Sequence, residues 1–571
     1  MTISPRYGFE TTAPDAIVDC LIEAGVRFVF GLSGGHTGRI FGALEKRQSE
    51  IRTILVREES LGAVMAETVG RITGTPGVLL GQGPWVLGNG LLGTIEAHLA
   101  ASPLLLLTDF SDTPGAAPHA PYQSGTGGYG NWDARGAFRA VTKEVFTAED
   151  PRAAVIATQL ALKHTMLGEP GPVAMIYGLQ ALEGSVDSAA RPRIFPTRAH
   201  VRPLPPATPD LGPVLSCLTA AERPVILAGN GVRVSGAEPA LAALVAATGL
   251  PVVTSPAGKG VFDDDHPLSR GVYGAYGNPS ANRAIRRADV ILALGTKLSA
   301  TDTVSGDPDL IDPVRQTLIQ VDIEPRNLCW TLPVDLPVLG DLPAVLDALS
   351  TGWQSAPVAD WSADNTPRLA PLPESPPGAA ALFPHEIVQA MQRALPEDTI
   401  YTCDAGENRI FMLHCLRPRG AGRFIQPAGA GPMGYALPSA LARKLLSPDS
   451  PVVAFSGDGG FSMTMNGLLS ALEAQLPIIS VVMNNDALGW SQHSRNAFAT
   501  QFDRVDYAAI GRGMGCGGLR VSGLEALETA LKEALRVTRE DARPMVIDVE
   551  TSMEVSFARL SYAETRALWM D

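Results

Sequence analysis

The sequence predicts an α/β protein of three consecutive doubly wound parallel-sheet domains, and three observations carry that expectation. Apolar runs of four to seven residues alternate with longer amphipathic stretches from end to end. Two proline-crowded stretches divide this alternation into three blocks. The length, 571 residues, exceeds what one hydrophobic core sustains.

In the first block, residues 1–186, strands are expected at Arg27–Gly31, Thr53–Val56, Gly77–Gly81 and Pro103–Asp109. In the second, 210–350, they are expected at Pro224–Ala228, Pro251–Thr254, Val290–Leu294 and Thr317–Val321. In the third, 379–571, they are expected at Thr399–Thr402, Pro451–Phe455, Pro477–Met483 and Met545–Val549. Short apolar runs spaced by helical lengths are the pattern of βαβ units, whose sheets are covered on both faces. Between the blocks, Asp187–Pro209 carries Pro192, Pro196, Pro203, Pro205, Pro206 and Pro209. Thr351–Gly378 carries Pro357, Pro367, Pro371, Pro373, Pro376 and Pro377. Proline at that density cannot feed a helix or a ladder, so both stretches are read as linkers.

Composition excludes several classes of function. The formal net charge is −14, and there is no Lys/Arg-rich run. A nucleic-acid or anionic-membrane partner calls for a basic patch, so neither is expected. Apolar runs such as Pro103–Thr108 and Pro477–Met483 are too short to span a bilayer. Met1–Ala13 lacks the apolar stretch of a signal peptide. The six cysteines (Cys20, Cys217, Cys329, Cys403, Cys415, Cys516) form no CxxC pair, which fits reduced thiols in a cytoplasm.

Ligands of doubly wound sheets bind beyond the carboxyl ends of the strands. In the third block, Pro451–Phe455 runs into Ser456-Gly457-Asp458-Gly459-Gly460, and a helical stretch follows from Phe461 to about Ala474. The next strand ends in Asn484-Asn485-Asp486. A right-handed crossover brings both strand ends to one sheet edge, so Asp458 and Asn485, 27 positions apart, converge. A carboxylate with an amide carbonyl makes a hard-oxygen site for Mg2+, with its other positions left to diphosphate and water. Glycines let the backbone approach phosphates, and a helix N-terminus favours them. Asp404-Ala405-Gly406-Glu407-Asn408 also follows a strand and opens a helix, so Gly406, Glu407 and Asn408 are candidates for a second contact. A lone Gly-Asp-Gly is an ordinary turn before a helix cap; the strand–helix–strand setting and the Asn-Asn pair give it a function.

These residues resemble the thiamine-diphosphate enzymes. The family's diphosphate motif opens with Gly-Asp-Gly and closes in Asn-Asn, as Gly457-Asp458-Gly459 through Asn484-Asn485 do here. The resemblance implies metal ligands at Asp458, Asn485 and the backbone carbonyl of Ala487, with Gly457, Gly459 and Gly460 against the diphosphate. It makes 1–186 a pyrimidine-binding domain, 210–350 a central domain and 379–571 a diphosphate-binding domain. It also assigns an apolar wedge under the bent cofactor to Met433, with Gly431, in Gly429-Ala430-Gly431-Pro432-Met433-Gly434. Leu55-Val56-Arg57-Glu58-Glu59, Ala66-Glu67 and Arg71-Ile72-Thr73-Gly74 look like the stretch that bears the family's catalytic glutamate, which falls on Glu59. In the family this acid bonds the aminopyrimidine ring and so activates the thiazolium carbon. Leu55, Val56, Leu61 and Val64 are candidates for its apolar surroundings. On the residues alone, adjacent acids there are a solvated helix start.

Within the family the chain is most similar to acetolactate synthase. Gly258-Lys259-Gly260-Val261-Phe262, His266-Pro267-Leu268 and Gly271-Val272-Tyr273-Gly274 carry this in the middle block. Tyr122-Gln123 and Thr142-Lys143 match a loop whose glutamine reaches the active site, which nominates Gln123. Three departures reshape a substrate pocket: Gln82-Gly83-Pro84-Trp85 replaces a small-residue turn, Glu58 stands for a histidine, and Ser494 for a tryptophan. Phe30-Gly31-Leu32-Ser33-Gly34-Gly35-His36 resembles instead the benzaldehyde lyase and cyclohexanedione hydrolase type, where such a histidine transfers protons, so His36 is a candidate. FAD is not favoured, because Gly295–Asp302 lacks the arginine of flavin-carrying relatives.

The resemblance implies a carboligase that decarboxylates a pyruvate-like 2-oxo acid and adds the activated aldehyde to a second carbonyl. The alternatives are a lyase or hydrolase of hydroxyketones or diketones, a simple 2-oxo acid decarboxylase, and a non-catalytic cofactor-binding subunit. A nicotinamide dehydrogenase is set aside for want of a GxGxxG opening a βαβ unit. A homodimer or homotetramer with sites between subunits is expected.

Overall fold

The computed structural model describes residues 11–111, 123–186, 203, 205–354, 364–558 and 565–570. They belong to two compact units, residues 1–204 and 205–571.

The first unit is one six-stranded parallel sheet, ordered β2-β1-β3-β4-β6-β5. Its strands are β1 (Phe28–Gly31), β2 (Arg52–Leu55), β3 (Gly77–Leu80), β4 (Leu104–Asp109), β5 (Glu144–Ala148) and β6 (Pro172–Tyr177). β3, β4 and β6 are buried along their whole length, as strands covered by helices on both faces must be. The chain steps from β1 outward to β2 and then returns to the other side of β1 as β3. That reversal opens a crevice beyond the carboxyl ends of β1 and β3.

The second unit contains two further sheets. One is ordered β12-β11-β10-β7-β8-β9. Its strands are β7 (Pro224–Ala228), β8 (Val252–Thr254), β9 (Ser269–Val272), β10 (Val290–Leu294), β11 (Thr317–Asp322) and β12 (Leu336–Leu339). The other is ordered β14-β13-β15-β16-β18-β17. It is built from β13 (Ile400–Cys403), β14 (Phe424–Ile425), β15 (Val452–Gly457), β16 (Ile479–Asn484), β17 (Gly517–Val521) and β18 (Met545–Glu550). Here the reversal falls between β13 and β15, the same winding as in the first unit. The covering helices are amphipathic: Leu524–Glu540 buries Leu527, Ala530, Leu531, Ala534, Val537 and Thr538, one stripe at helical spacing.

The acetolactate-type residues of the middle block knit these two sheets together. Lys259 and Asp264 form a buried pair at 2.8 Å, joined by Arg368 at 3.1 Å from Asp264. The buried Arg233 guanidinium donates to the carbonyls of Ala257, Lys259 and Phe424, the last on β14. The second linker is strapped to the same unit: the Ala370 N–H donates to His414 Nε2 at 2.9 Å, and the Ser375 N–H to Glu386 Oε1 at 2.9 Å. Much of the first linker, with its residues 187–202, lies outside the described residues.

Each sheet holds the four expected strands and two more. Five of the six additions (β5, β9, β12, β14 and β17) are edge strands: β5, β12 and β17 mix exposed and buried positions and so carry no continuous apolar run, and β14, though buried, is only two residues long. β6 is an interior apolar run that was equally legible. Among the described residues, no helix is long and apolar enough to cross a membrane.

Candidate active site

In the second unit, the crevice between β13 and β15 collects the residues nominated for diphosphate and metal. Asp458 follows β15 directly and is buried. Its Oδ1 accepts the Gly459 N–H at 2.7 Å and its Oδ2 accepts the Ala487 N–H at 3.1 Å. The same Ala487 N–H lies 3.2 Å from Asn485 Oδ1, so the two candidate ligand oxygens meet at one backbone donor. Burial pushes the Asp458 carboxyl up to about 6, against backbone N–H groups that hold it down. A cation is the natural partner for such a carboxylate. One carboxylate, one amide oxygen and one backbone carbonyl suit Mg2+ that shares its remaining positions with diphosphate. The donor set therefore fits the group the sequence implies.

Asn484, the first residue of the Asn-Asn pair, turns the other way: its Nδ2 donates to Asp548 Oδ1 at 2.9 Å and ties the end of β16 to β18. The helix expected over Phe461–Ala474 starts earlier, at Asp458, and is two short helices, Asp458–Thr464 and Gly467–Glu473. Asn466 and Gly467, both weak helix formers, mark the break.

The glycines of the loop are packed rather than loose. A Cβ on Gly459 would lie 2.9 Å from Leu488 Cδ2 and 3.0 Å from Met433 Cε, which brings the Met433 thioether against the loop. A Cβ on Gly460 would overlap the Asp404 carboxylate. Gly431 precedes Met433 with a φ of +65°, in the turn before helix Ala436–Leu446. Gly406, at φ +113°, adopts a backbone that residues with side chains avoid and opens helix Glu407–Cys415. The side chains of that helix start are already engaged. Asn408 Nδ2 donates to the Asp404 carbonyl at 2.9 Å. Glu407 Oε1 meets His493 Nδ1 at 2.9 Å and accepts the Ser556 hydroxyl. A Cβ on Gly489 would lie 2.9 Å from both Glu407 Oε2 and Asn485 Nδ2, so this buried cluster borders the metal-ligand candidates.

In the first unit, Glu59 is the first residue of helix Glu59–Thr73 and is buried. Asn89 Nδ2 donates to its Oε2 at 2.9 Å. Val56, Leu61 and Val64 are buried as expected, whereas Leu55 is 51% exposed, because β2 is an edge strand. Glu58 is the N-cap and accepts the Ser60 hydroxyl. Further along the helix, Arg71 lies fully buried 3.9 Å from Glu67 and 4.0 Å from Glu96, which gives Ala66-Glu67 and Arg71 a structural task.

A cavity of about 370 Å³ opens in the same unit, lined by Gly35, His36, Gln82, Pro84, Asp109, Ser111 and Gln123. His36 and Gln123, far apart in sequence, thus share one wall. Gln82 Nε2 donates to Gln123 Oε1 at 2.5 Å. Asp109, the last residue of β4, accepts the N–H groups of His36 at 2.5 Å and Thr37 at 3.2 Å on Oδ2, and that of Gly83 at 3.2 Å on Oδ1. Burial raises its pKa; the three N–H donors oppose the rise. Trp85 does not line this cavity and is 49% exposed, and Ser494 is exposed with its hydroxyl on the Trp490 carbonyl. Tyr122 lies outside the described residues.

Sequence reasoning missed Asn89, Asp109, His493 and Ser556, and noted Gln82 only as a substitution. Asp109 had a signal, since a carboxylate closing an apolar strand stands at the ligand edge of such a sheet. His493 and Ser556 are brought to Glu407 by the fold alone, with no motif to announce them.

Comparisons with known proteins agree along the chain. Residues 11–126 match the N-terminal TPP binding domain of thiamine pyrophosphate enzymes, 211–349 their central domain and 404–549 their C-terminal TPP binding domain. The chain is 28% identical to the "Probable acetolactate synthase large subunit" of Methanocaldococcus jannaschii, over 94% of this chain and 91% of that protein. It is 28% identical to the acetolactate synthase isozyme 3 large subunit of Escherichia coli, over 94% of each. Identity to the acetolactate synthase large subunit of Parasynechococcus marenigrum is 29%, over 95% of this chain and 89% of that one.

Proposed function

Because the chain belongs to the thiamine pyrophosphate enzymes, as an acetolactate synthase-like member, we propose that it decarboxylates a pyruvate-like 2-oxo acid and adds the resulting acyl unit to a second carbonyl compound. The observation that carries this reading is the meeting of Asp458 Oδ2 and Asn485 Oδ1 at the Ala487 N–H, in the crevice where β13 and β15 diverge. A panel of 2-oxo acids tests it, with carbon dioxide release and product mass as readouts. Release that requires thiamine diphosphate and magnesium is expected; no release from any 2-oxo acid overturns the proposal.

Asp458, Asn485 and the Ala487 carbonyl would hold Mg2+. Gly457, Gly459 and Gly460 admit the diphosphate close to the backbone, and Gly406, Glu407 and Asn408 contribute through their backbone, since the two side chains are spent on His493, Ser556 and Asp404. Met433, with Gly431 beside it, would give the cofactor apolar support. Thiamine diphosphate, when bound, supplies a thiazolium carbon that adds to carbonyls and accepts the electron pair left by decarboxylation. Glu59, a buried carboxyl steadied by Asn89, would hold a proton in reach of the pyrimidine ring. Gln123 and His36 act on substrate from the wall of the first-unit cavity.

His36 supports a second reading, in which the same machinery cleaves a hydroxyketone or diketone and the imidazole moves a proton to or from a substrate hydroxyl. Full cleavage activity in His36→Ala would sink that version. We extend the proposal to a homodimer or homotetramer with sites between subunits, supported by exposed apolar side chains such as Leu55, Met463 and Phe498 that a partner subunit would cover. A cytoplasmic location is supported by six cysteines that form no disulfide. Flavin has no part in the proposal.

A further inference from the structure

We propose that the first-unit cavity seats the second carbonyl compound and selects an uncharged, hydroxyl-bearing one, with Gln82 the specificity-determining residue and Asp109 the positioning residue. This rests on the carboligase reading and names the acceptor class for it. The cavity, about 370 Å³, suits a small molecule. Among the described residues, no Lys or Arg lines it. A carboxylate taken out of water needs a cation or a cluster of donors. What it would meet here is Asp109, a buried carboxyl that already gathers three backbone N–H groups as an anion does.

The remaining polar groups suit hydroxyls. His36 Nε2 is buried with no hydrogen-bond partner among the described residues, and the amide ends of Gln82 and Gln123 bond each other on the cavity wall. A hydroxyl both donates and accepts, so one hydroxyl can serve the imidazole nitrogen or join the amide pair without carrying charge. Asp109 fixes the geometry through its backbone partners. Its Oδ2 holds the His36–Thr37 turn and its Oδ1 holds Gly83, so the two loops that present His36 and Gln82 are tied to one carboxyl. The fit is close on this side as well: a Cβ on Gly35 would lie 2.5 Å from Asp109 Oδ2 and 3.1 Å from Gln82 Nε2.

Binding to the full chain without added cofactor, followed by ligand-observed NMR, tests the assignment with hydroxyacetone, 2-butanone and pyruvate. Hydroxyacetone should bind, pyruvate should displace it only at a concentration at least about tenfold higher, and 2-butanone should bind more weakly than hydroxyacetone. In Gln82→Leu the preference for hydroxyacetone over 2-butanone should fall toward unity, whereas a merely structural role would weaken both alike. In Asp109→Asn, acceptor KM should rise by at least about tenfold and kcat by far less than that factor should fall. If Asp109→Asn does not fold, Gln82→Leu decides. Equal displacement by pyruvate, or an unchanged preference in Gln82→Leu, overturns the inference. Carbon dioxide release from 2-oxo acids is scored separately: selective hydroxyacetone binding without release keeps the cavity assignment and overturns the carboligase reading.

Discussion

The crevice of the first sheet and the crevice of the third are made by the same winding, an outward step to one neighbour and a return on the other side of the first strand. Each places a buried aspartate at a strand end and loads it with backbone N–H groups. They differ in what the carboxylate is left to do. Asp458 draws its donors from its own neighbour Gly459 and from the loop after the adjacent strand, and it shares the Ala487 N–H with a second candidate ligand oxygen, Asn485 Oδ1. Asp109 draws its donors from two loops that carry other residues to a cavity, and no second oxygen ligand stands beside it in that set. On the proposed reading, one crevice holds a cation and the other holds side chains. The same topology supplies an anchor and a wall, and the residues at the strand ends decide which.

The largest expected effect separates holding from chemistry. Glu59→Gln should lower turnover by about 10²- to 10⁴-fold, the usual yield of a positioned acid, while calorimetric affinity for thiamine diphosphate with magnesium stays within about threefold. Equal losses in both would make Glu59 part of the anchor and blur the contrast.

Arg71→Ala probes the far end of the helix that Glu59 opens. Removing the fully buried guanidinium leaves Glu67 and Glu96 close together without it, and urea unfolding should show a loss of about 3–5 kcal/mol. A change below about 1 kcal/mol would mean that the last turns of the helix are not braced by this cluster.

In the second unit, acid should act through His414. Burial holds its imidazole down to about 4, so the folded form resists the proton that the unfolded chain takes up near 6.5. Stability is therefore complete above pH 6.5 and is lost as pH falls toward 4, by about 3 kcal/mol. His414→Gln should flatten that part of a denaturation profile measured against pH. An unchanged slope would remove His414 from the account of how the second linker is held.

The smallest effect concerns the phosphate loop. Gly460→Ala should cost about 1–3 kcal/mol, because its methyl overlaps the Asp404 carboxylate, while a methyl on Gly457 meets Asn408 Oδ1 at an ordinary 3.9 Å and should be nearly neutral for stability. The two values, read by thermal unfolding, distinguish a glycine needed by packing from one left for a ligand.

The third-sheet crevice was far more legible than the first. Asp458 and Asn485 belong to one crossover, so their separation in sequence fixes their meeting in space. The helix between them was misjudged because its break at Asn466-Gly467 is a local matter that periodicity blurs. Asp109 and Gln82 could not be paired from sequence, since a carboxylate that works through backbone N–H groups leaves no side-chain pattern at its partners. His493 and Ser556 reach Glu407 across long separations for the same reason. Most interior strands showed as apolar runs, and five of the six edge strands, β2 being the exception, were too short or too mixed in burial to show.

The central claim is that Asp458 and Asn485 hold the cofactor through a divalent cation. Calorimetric titration of the full chain with thiamine diphosphate, with magnesium and again with a chelator, tests it most directly. The account predicts at least about tenfold weaker binding without magnesium in the native chain, and weak binding under both conditions in Asp458→Ala. Equal affinity with and without magnesium in the native chain, or an Asp458→Ala variant that keeps the full magnesium effect, would contradict it.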